Sequence, residues 1–214
     1  MVRDEIIPHK TVELIIFLDA LSLFTQFLKI KYTETKETIR RVYPSEKPLL
    51  VVLKPDNNIR KANSRYKTSK YFRSKLQDSA KLLVLVKANA YGHGAVEFAS
   101  MMESVGADYL AVAYPVEGVE LRDAGIKSPI MVLTAGTDFF EEIIDNSLEP
   151  GIPNLSALKA LVNVLNKRGV TDFPVHIKLD TGMHRLGFVS EEMDELVEFL
   201  GECKTVKVKS VYSH

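Results

Sequence analysis

One cysteine in 214 residues leaves no partner for an intramolecular disulfide and too few thiols for a multi-cysteine zinc site. Cys203 is therefore read as a small apolar residue at a helix end, in a chain suited to the reducing cytoplasm. Net charge is also absent. The 28 Lys and Arg balance 28 Asp and Glu, which removes any global electrostatic case for a nucleic-acid or membrane partner. No long apolar run is unbroken: Val12 to Leu28 comes nearest, but Glu13 and Asp19 interrupt it at high cost to a membrane span. The start Met1-Val2-Arg3-Asp4-Glu5 lacks the basic region of a signal peptide, so neither export nor an anchor is expected. Nor is there a His, Cys and carboxylate cluster at metal-ligand spacing, and no metal is expected.

What is present is a composition of 46% apolar and 26% charged residues, enough for one substantial core. The charges are unevenly placed. Residues 1–70 carry 14 basic against 8 acidic side chains, whereas 71–214 carry 14 against 20, so two differently composed segments meet near residue 70. The first is irregular: Lys29 to Arg41 is polar, Pro48 to Leu53 fits a short strand, and Lys54 to Lys70 reads as loop. Its basic excess has no interleaved aromatic pattern, which argues against nucleic acid.

From residue 82 short β-branched runs alternate with amphipathic stretches, the pattern of repeated βα units on a parallel sheet. Strands are expected at Leu82 to Val86, Tyr109 to Ala113, Ile130 to Leu133, near Leu148, Val175 to Leu179 and Val206 to Tyr212. Between them Phe98, Met101, Met102 and Val105 recur at helical spacing, as do Leu158, Leu161, Val162 and Leu165, then Met193, Leu196, Val197 and Leu200. Asn154 and Ser190 stand where N-caps belong. The strands read as apolar on both faces, which fits an α/β fold, either a (β/α)8 barrel or a doubly wound sheet. About six βα units cannot complete eight, so the expectation is a partial, truncated TIM-type barrel over 71–214 behind an atypical segment 1–70.

Function-bearing groups in such a fold lie at the C-terminal ends of strands. Lys87 ends the first apolar run, within Val86-Lys87-Ala88-Asn89-Ala90-Tyr91-Gly92-His93-Gly94. Burial there disfavours an ammonium, which suits an amine that must condense with an aldehyde. The glycines and Asn89 allow positive φ and close approach of backbone to an anion. After the fifth run comes Lys178-Leu179-Asp180-Thr181-Gly182-Met183-His184-Arg185-Leu186-Gly187, where Arg185 offers a permanent charge beside an oxyanion or simply pairs with Asp180 at the surface. The chain then reaches Tyr212-Ser213-His214.

These two motifs resemble the signature stretches of bacterial alanine racemases, pyridoxal-phosphate enzymes of fold type III. The resemblance runs from about Tyr71 to His214. It implies that Lys87 carries pyridoxal 5'-phosphate and acts as one catalytic base, that Tyr91 reaches the cofactor phosphate, and that Arg185 lies beside the phenolic oxygen. It further implies that Lys178 is carbamylated and orients Arg185; an unmodified lysine would repel that arginine, whereas a carbamate attracts it. His214 matches the histidine beside the pyridine ring. The reaction implied is interconversion of L- and D-alanine for peptidoglycan synthesis, by proton exchange at Cα in a cytoplasmic homodimer.

In that family the second base is a tyrosine from the partner's C-terminal domain, which nothing in this chain matches. If nothing follows His214, weak cofactor binding and no racemisation are expected. At the front, Thr11 to Leu21 and Tyr71 to Leu76 resemble a strand and helix that stand close together in the family, so Ser22 to Lys70 reads as an insertion. Two other readings stay open. One is a single-domain pyridoxal-phosphate barrel of the homeostasis type; the other is a non-catalytic remnant acting as an interaction module.

Overall fold

The computed structural model describes the backbone of Val12–Ile16 and Leu49–Leu53 and, in full, residue 73 and residues 81–181 and 184–213. His214, Tyr71 to Leu76 except Arg73, and the readings over 1–70 outside the two strands lie outside the described residues.

Strand β1 (Val12–Ile16) pairs antiparallel with β2 (Leu49–Leu53), and β2 pairs parallel with β3 (Lys81–Leu85). From there β4 (Tyr109–Val112), β5 (Ile130–Val132), β6 (Glu149–Ile152), β7 (Phe173–Leu179) and β8 (Val206–Ser213) add in parallel and in chain order. The six expected strands are all present, and with α-helices between them they form a partial TIM-type barrel. β2 falls on the predicted Pro48 to Leu53 run and extends the parallel set, while β1 lies within Thr11 to Leu21 and also runs beside β8.

Pleat alternation divides the core in two. Leu82, Val84, Leu110, Val112, Ile130, Val132, Val175 and Ile177 pack outward into the helical layer, whereas Leu83, Leu85, Tyr109, Ala111, Met131 and Tyr212 form a separate inner cluster. A bulge keeps β8 in step. Val175 pairs with Val208 but His176 with Ser210, so Lys209 is skipped; Val206, Val208 and Val211 all join the helical layer and Tyr212 turns inward. The inner face of β7 departs from the apolar expectation. It buries His176 and Lys178, in a strand whose outer face alone is continuously apolar.

The helices follow the predicted stripes. In α1 (Ala95–Ser104) Phe98 and Met102 are buried, with Met101 and Val105 half-buried against the same layer. Next come α2 (Pro115–Asp123) and α3 (Phe140–Asp145). In α4 (Leu155–Arg168) Leu158, Leu161 and Leu165 are fully buried, the Asn154 carboxamide accepts the Ala157 N–H at 2.8 Å, and Gly169 ends the helix at φ 66°. In α5 (Met193–Glu202) the buried side chains are Met193, Leu196 and Leu200. Ser190 corrects its prediction. It opens a 3₁₀ turn, Ser190–Glu192, where the Glu192 carboxylate reaches back to the Val189 N–H at 3.0 Å. A tightened first turn moves the start of α5 past the serine, whose hydroxyl then has no helix to cap.

Candidate active site

A cavity of about 330 Å³ opens at the C-terminal ends of the strands, lined among others by Lys87, Lys178, Arg185, Tyr114 and Tyr212. Three cations and no carboxylate line it among the described residues, while Leu85, Leu133 and Leu186 supply apolar wall. Such a donor set suits a small anionic ligand with an apolar body.

Lys87 stands one residue beyond Val86, whose N–H still bonds Ala111 O at 2.9 Å, so the strand ladder fixes where the lysine leaves the sheet. It is half-buried; withdrawal from water is partial. Asn89, Gly92 and Gly94 take the positive φ expected of them, but the left-handed conformation extends to their non-glycine neighbours. Ala88, Asn89, Ala90 and Tyr91 all have φ of 49 to 56° and ψ of 38 to 52°, one turn of left-handed helix built from non-glycine residues. Each such residue costs roughly 1–2 kcal/mol against the right-handed form. Local bonds hold the turn: Ala90 N–H to Val86 O at 2.8 Å, His93 N–H to Asn89 O at 3.0 Å, and Ala95 N–H to the Asn89 side-chain oxygen at 2.8 Å. Ala90 is fully buried beneath it. Alanine carries no preference for this conformation, so the residue types at 88 and 90 give no sign of it.

Tyr91, at the end of the turn, packs on the inner cluster and is not among the residues that line the cavity. Lys178 is buried on β7, its Nζ 5.8 Å from the centroid of the Tyr212 ring. Arg185 is exposed at the lip, on a loop closed by Asp180 N–H to Phe188 O at 2.9 Å and Phe188 N–H to Lys178 O at 2.8 Å. Gly187 is obligatory there, because a β-carbon would stand 2.5 Å from the Asp180 nitrogen and its φ is 139°. Asp180 pairs with His184 at 3.5 Å, and no Asp180 to Arg185 pair forms among the described residues.

Residues 66–214 match the family model of the alanine racemase N-terminal domain. The chain belongs to the alanine racemase family. Alanine racemases from Methanococcus maripaludis and Thermodesulfovibrio yellowstonii are 39% identical over 139 residues and 41% identical over 136, covering 63% and 64% of this chain. The chain spans 36% of the length of each. Among solved structures, alanine racemase from Clostridium difficile 630 matches with a TM-score of 0.63 at 32% identity, covering 77% of this chain and 41% of that one. The enzyme from E. faecalis matches with a TM-score of 0.67 at 31%, covering 72% and 42%. The matched stretch contains Lys87, Lys178 and Arg185.

Below the cavity the barrel interior holds a polar chain that sequence reading missed. His176 lies between Glu149 (Nε2 to Oε2, 3.0 Å) and Ser210 (Nδ1 to Oγ, 2.6 Å), and the Tyr109 ring meets it edge-on at 5.8 Å. Both ring nitrogens of His176 are thus engaged, Nε2 by the Glu149 carboxylate and Nδ1 by the Ser210 hydroxyl. Burial, together with the Glu149 charge and its hydrogen bond, pushes the Tyr109 hydroxyl well above the ordinary tyrosine range. Burial alone does the same to Tyr212. Both phenols stay neutral. The available signal was a histidine inside the apolar strand Phe173–Leu179.

Proposed function

We propose that this chain is the cofactor-bearing part of a pyridoxal-phosphate-dependent alanine racemase interconverting L- and D-alanine. The observation that carries the reading is the cavity: a strand-end lysine in Lys87, the permanent charge of Arg185 at the lip, apolar walls and no Asp or Glu among the described lining residues. That donor set fits an anionic aromatic aldehyde. Lys87 would hold the aldehyde carbon, Arg185 the phenolic oxygen and Tyr91 the phosphate, with His214 beside the ring and Lys178, carbamylated, orienting Arg185. When bound, the cofactor supplies an electron sink for negative charge developing at the substrate Cα.

The chain's own residues do the rest. The Lys87 amine takes a proton from, or returns one to, one face of Cα. The Arg185 guanidinium keeps its charge throughout, so it stabilises an adjacent oxygen without moving a proton. Leu85 and Leu133 keep the floor of the cavity dry, which strengthens each of these charge interactions. Residues 71–214 form the body of the racemase barrel, and the atypical segment 1–70 contributes β1 and β2 to its sheet; the complete protein works as a homodimer in the cytoplasm, making D-alanine for peptidoglycan.

The test is exchange of the alanine α-proton. In deuterated buffer with pyridoxal phosphate, wild-type chain should wash deuterium into Cα of D-alanine, and Lys87→Ala should abolish it. Wash-in that survives Lys87→Ala would sink the reading.

A further inference from the structure

We infer that Glu117 is the positioning residue for Lys87. The inference rests on the proposed role of Lys87. Glu117 lies in the first turn of α2, half-buried, and its carboxylate collects three backbone donors. Oε2 accepts from Ala113 N–H at 2.7 Å and Tyr114 N–H at 3.0 Å, an ordinary arrangement at a helix start. Oε1 accepts from Ala88 N–H at 2.6 Å, which is not ordinary, because Ala88 is 29 residues away on another strand end.

The Ala88 N–H belongs to the peptide that joins Lys87 to the left-handed turn. Anchoring that amide fixes the peptide plane, hence ψ of Lys87 and φ of Ala88, and with them the direction in which the Lys87 side chain leaves the backbone. The turn is conformationally costly, so it persists only where its surroundings over-determine it. Its later amides bond within the turn, to Val86, Asn89 and Ala90, whereas Ala88 is held from outside. One carboxylate thus locks the end of β3 to the end of β4, and Lys87 and Tyr114 line the same cavity on either side of it. Glu117 is not among the residues that line the cavity; it acts through the backbone.

Glu117→Asp and Glu117→Gln separate this role from capping. Aspartate keeps a carboxylate for its own helix start but is one methylene too short for Ala88. Glutamine presents an amide N–H₂ to a cluster of donors. In the full chain, acetic anhydride acylation of Lys87 and Lys178 is followed by peptide mass mapping, and pyridoxal phosphate captured on Lys87 is fixed with borohydride. In folded variants the Lys87 acylation rate should rise roughly threefold or more as the amine swings out of the cavity, with Lys178 unchanged. Capture of pyridoxal phosphate on Lys87 should fall by about tenfold or more.

Lys87 acylation at the wild-type rate in a folded variant would overturn the inference, as would an equal rise at Lys178 or failure of both variants to fold. If wild-type chain captures no pyridoxal phosphate, the proposed function fails, and acylation alone still decides the role of Glu117.

Discussion

The hydroxyl of Tyr212 occupies the space that a β-carbon on Gly151 would fill. The two residues lie on β8 and β6, so the tyrosine side chain spans the barrel interior above β7, and its ring forms the surface that Lys178 faces. Gly151→Ala must therefore displace the Tyr212 ring or the strand beneath it. Overpacking of this kind costs about 1–3 kcal/mol, and urea denaturation should show that loss. Stability equal to wild type would mean that Tyr212 has somewhere else to go.

The Ser210 hydroxyl is hydrogen-bonded at 2.6 Å to Nδ1 of the fully buried His176 ring. Ser210→Ala should cost about 1–3 kcal/mol, the desolvation penalty of the ring nitrogen left without that partner. Thr205→Val removes a hydrogen bond of similar length to Asn166 at the exposed surface and should change stability by less than about 0.5 kcal/mol. Equal effects at the two sites, compared by urea titration, would contradict the buried chain.

Glu103 supplies the pH dependence. Partial burial by itself would raise its carboxyl, but the Ser128 hydroxyl and N–H, the Lys127 N–H and the Arg122 charge outweigh that and hold it below the usual range. Its contribution is thus complete above the ordinary carboxylate value of about 4.3 and is lost as pH falls through the lower folded value. Glu103→Gln should be less stable than wild type at pH 7, and the gap should narrow as the pH falls below the ordinary carboxylate value of about 4.3. A gap that stays constant from pH 7 to pH 3 in urea titrations would contradict the assignment.

The barrel was readable from the chain because burial on both faces leaves β-branched runs that polar residues rarely interrupt, and because helix stripes such as Leu158, Leu161 and Leu165 repeat at 3.6 residues. That Lys87, Lys178 and Arg185 would share one end of the fold was readable because the two lysines are cations near apolar strand ends and Arg185 follows on the loop after β7. Glu117 was not, since a glutamate in the first turn after Pro115 is ordinary and its decisive bond spans 29 residues. The left-handed turn was hidden for a related reason: local preference at Ala88 and Ala90 opposes it, and the bonds that hold it, within the turn and from Glu117, exist only once the fold is formed. Ser190 misled because the rule for N-caps does not foresee a 3₁₀ first turn.

The proposed function turns on Lys87, among 28 basic side chains, being the amine built to take an aldehyde. Borohydride reduction of the full chain with an equimolar amount of pyridoxal phosphate, followed by peptide mapping, tests it most directly. One dominant pyridoxyl adduct is expected, on Lys87, and it should disappear in Lys87→Ala with no compensating label elsewhere. Label spread evenly over surface lysines, or unchanged in Lys87→Ala, would contradict that assignment.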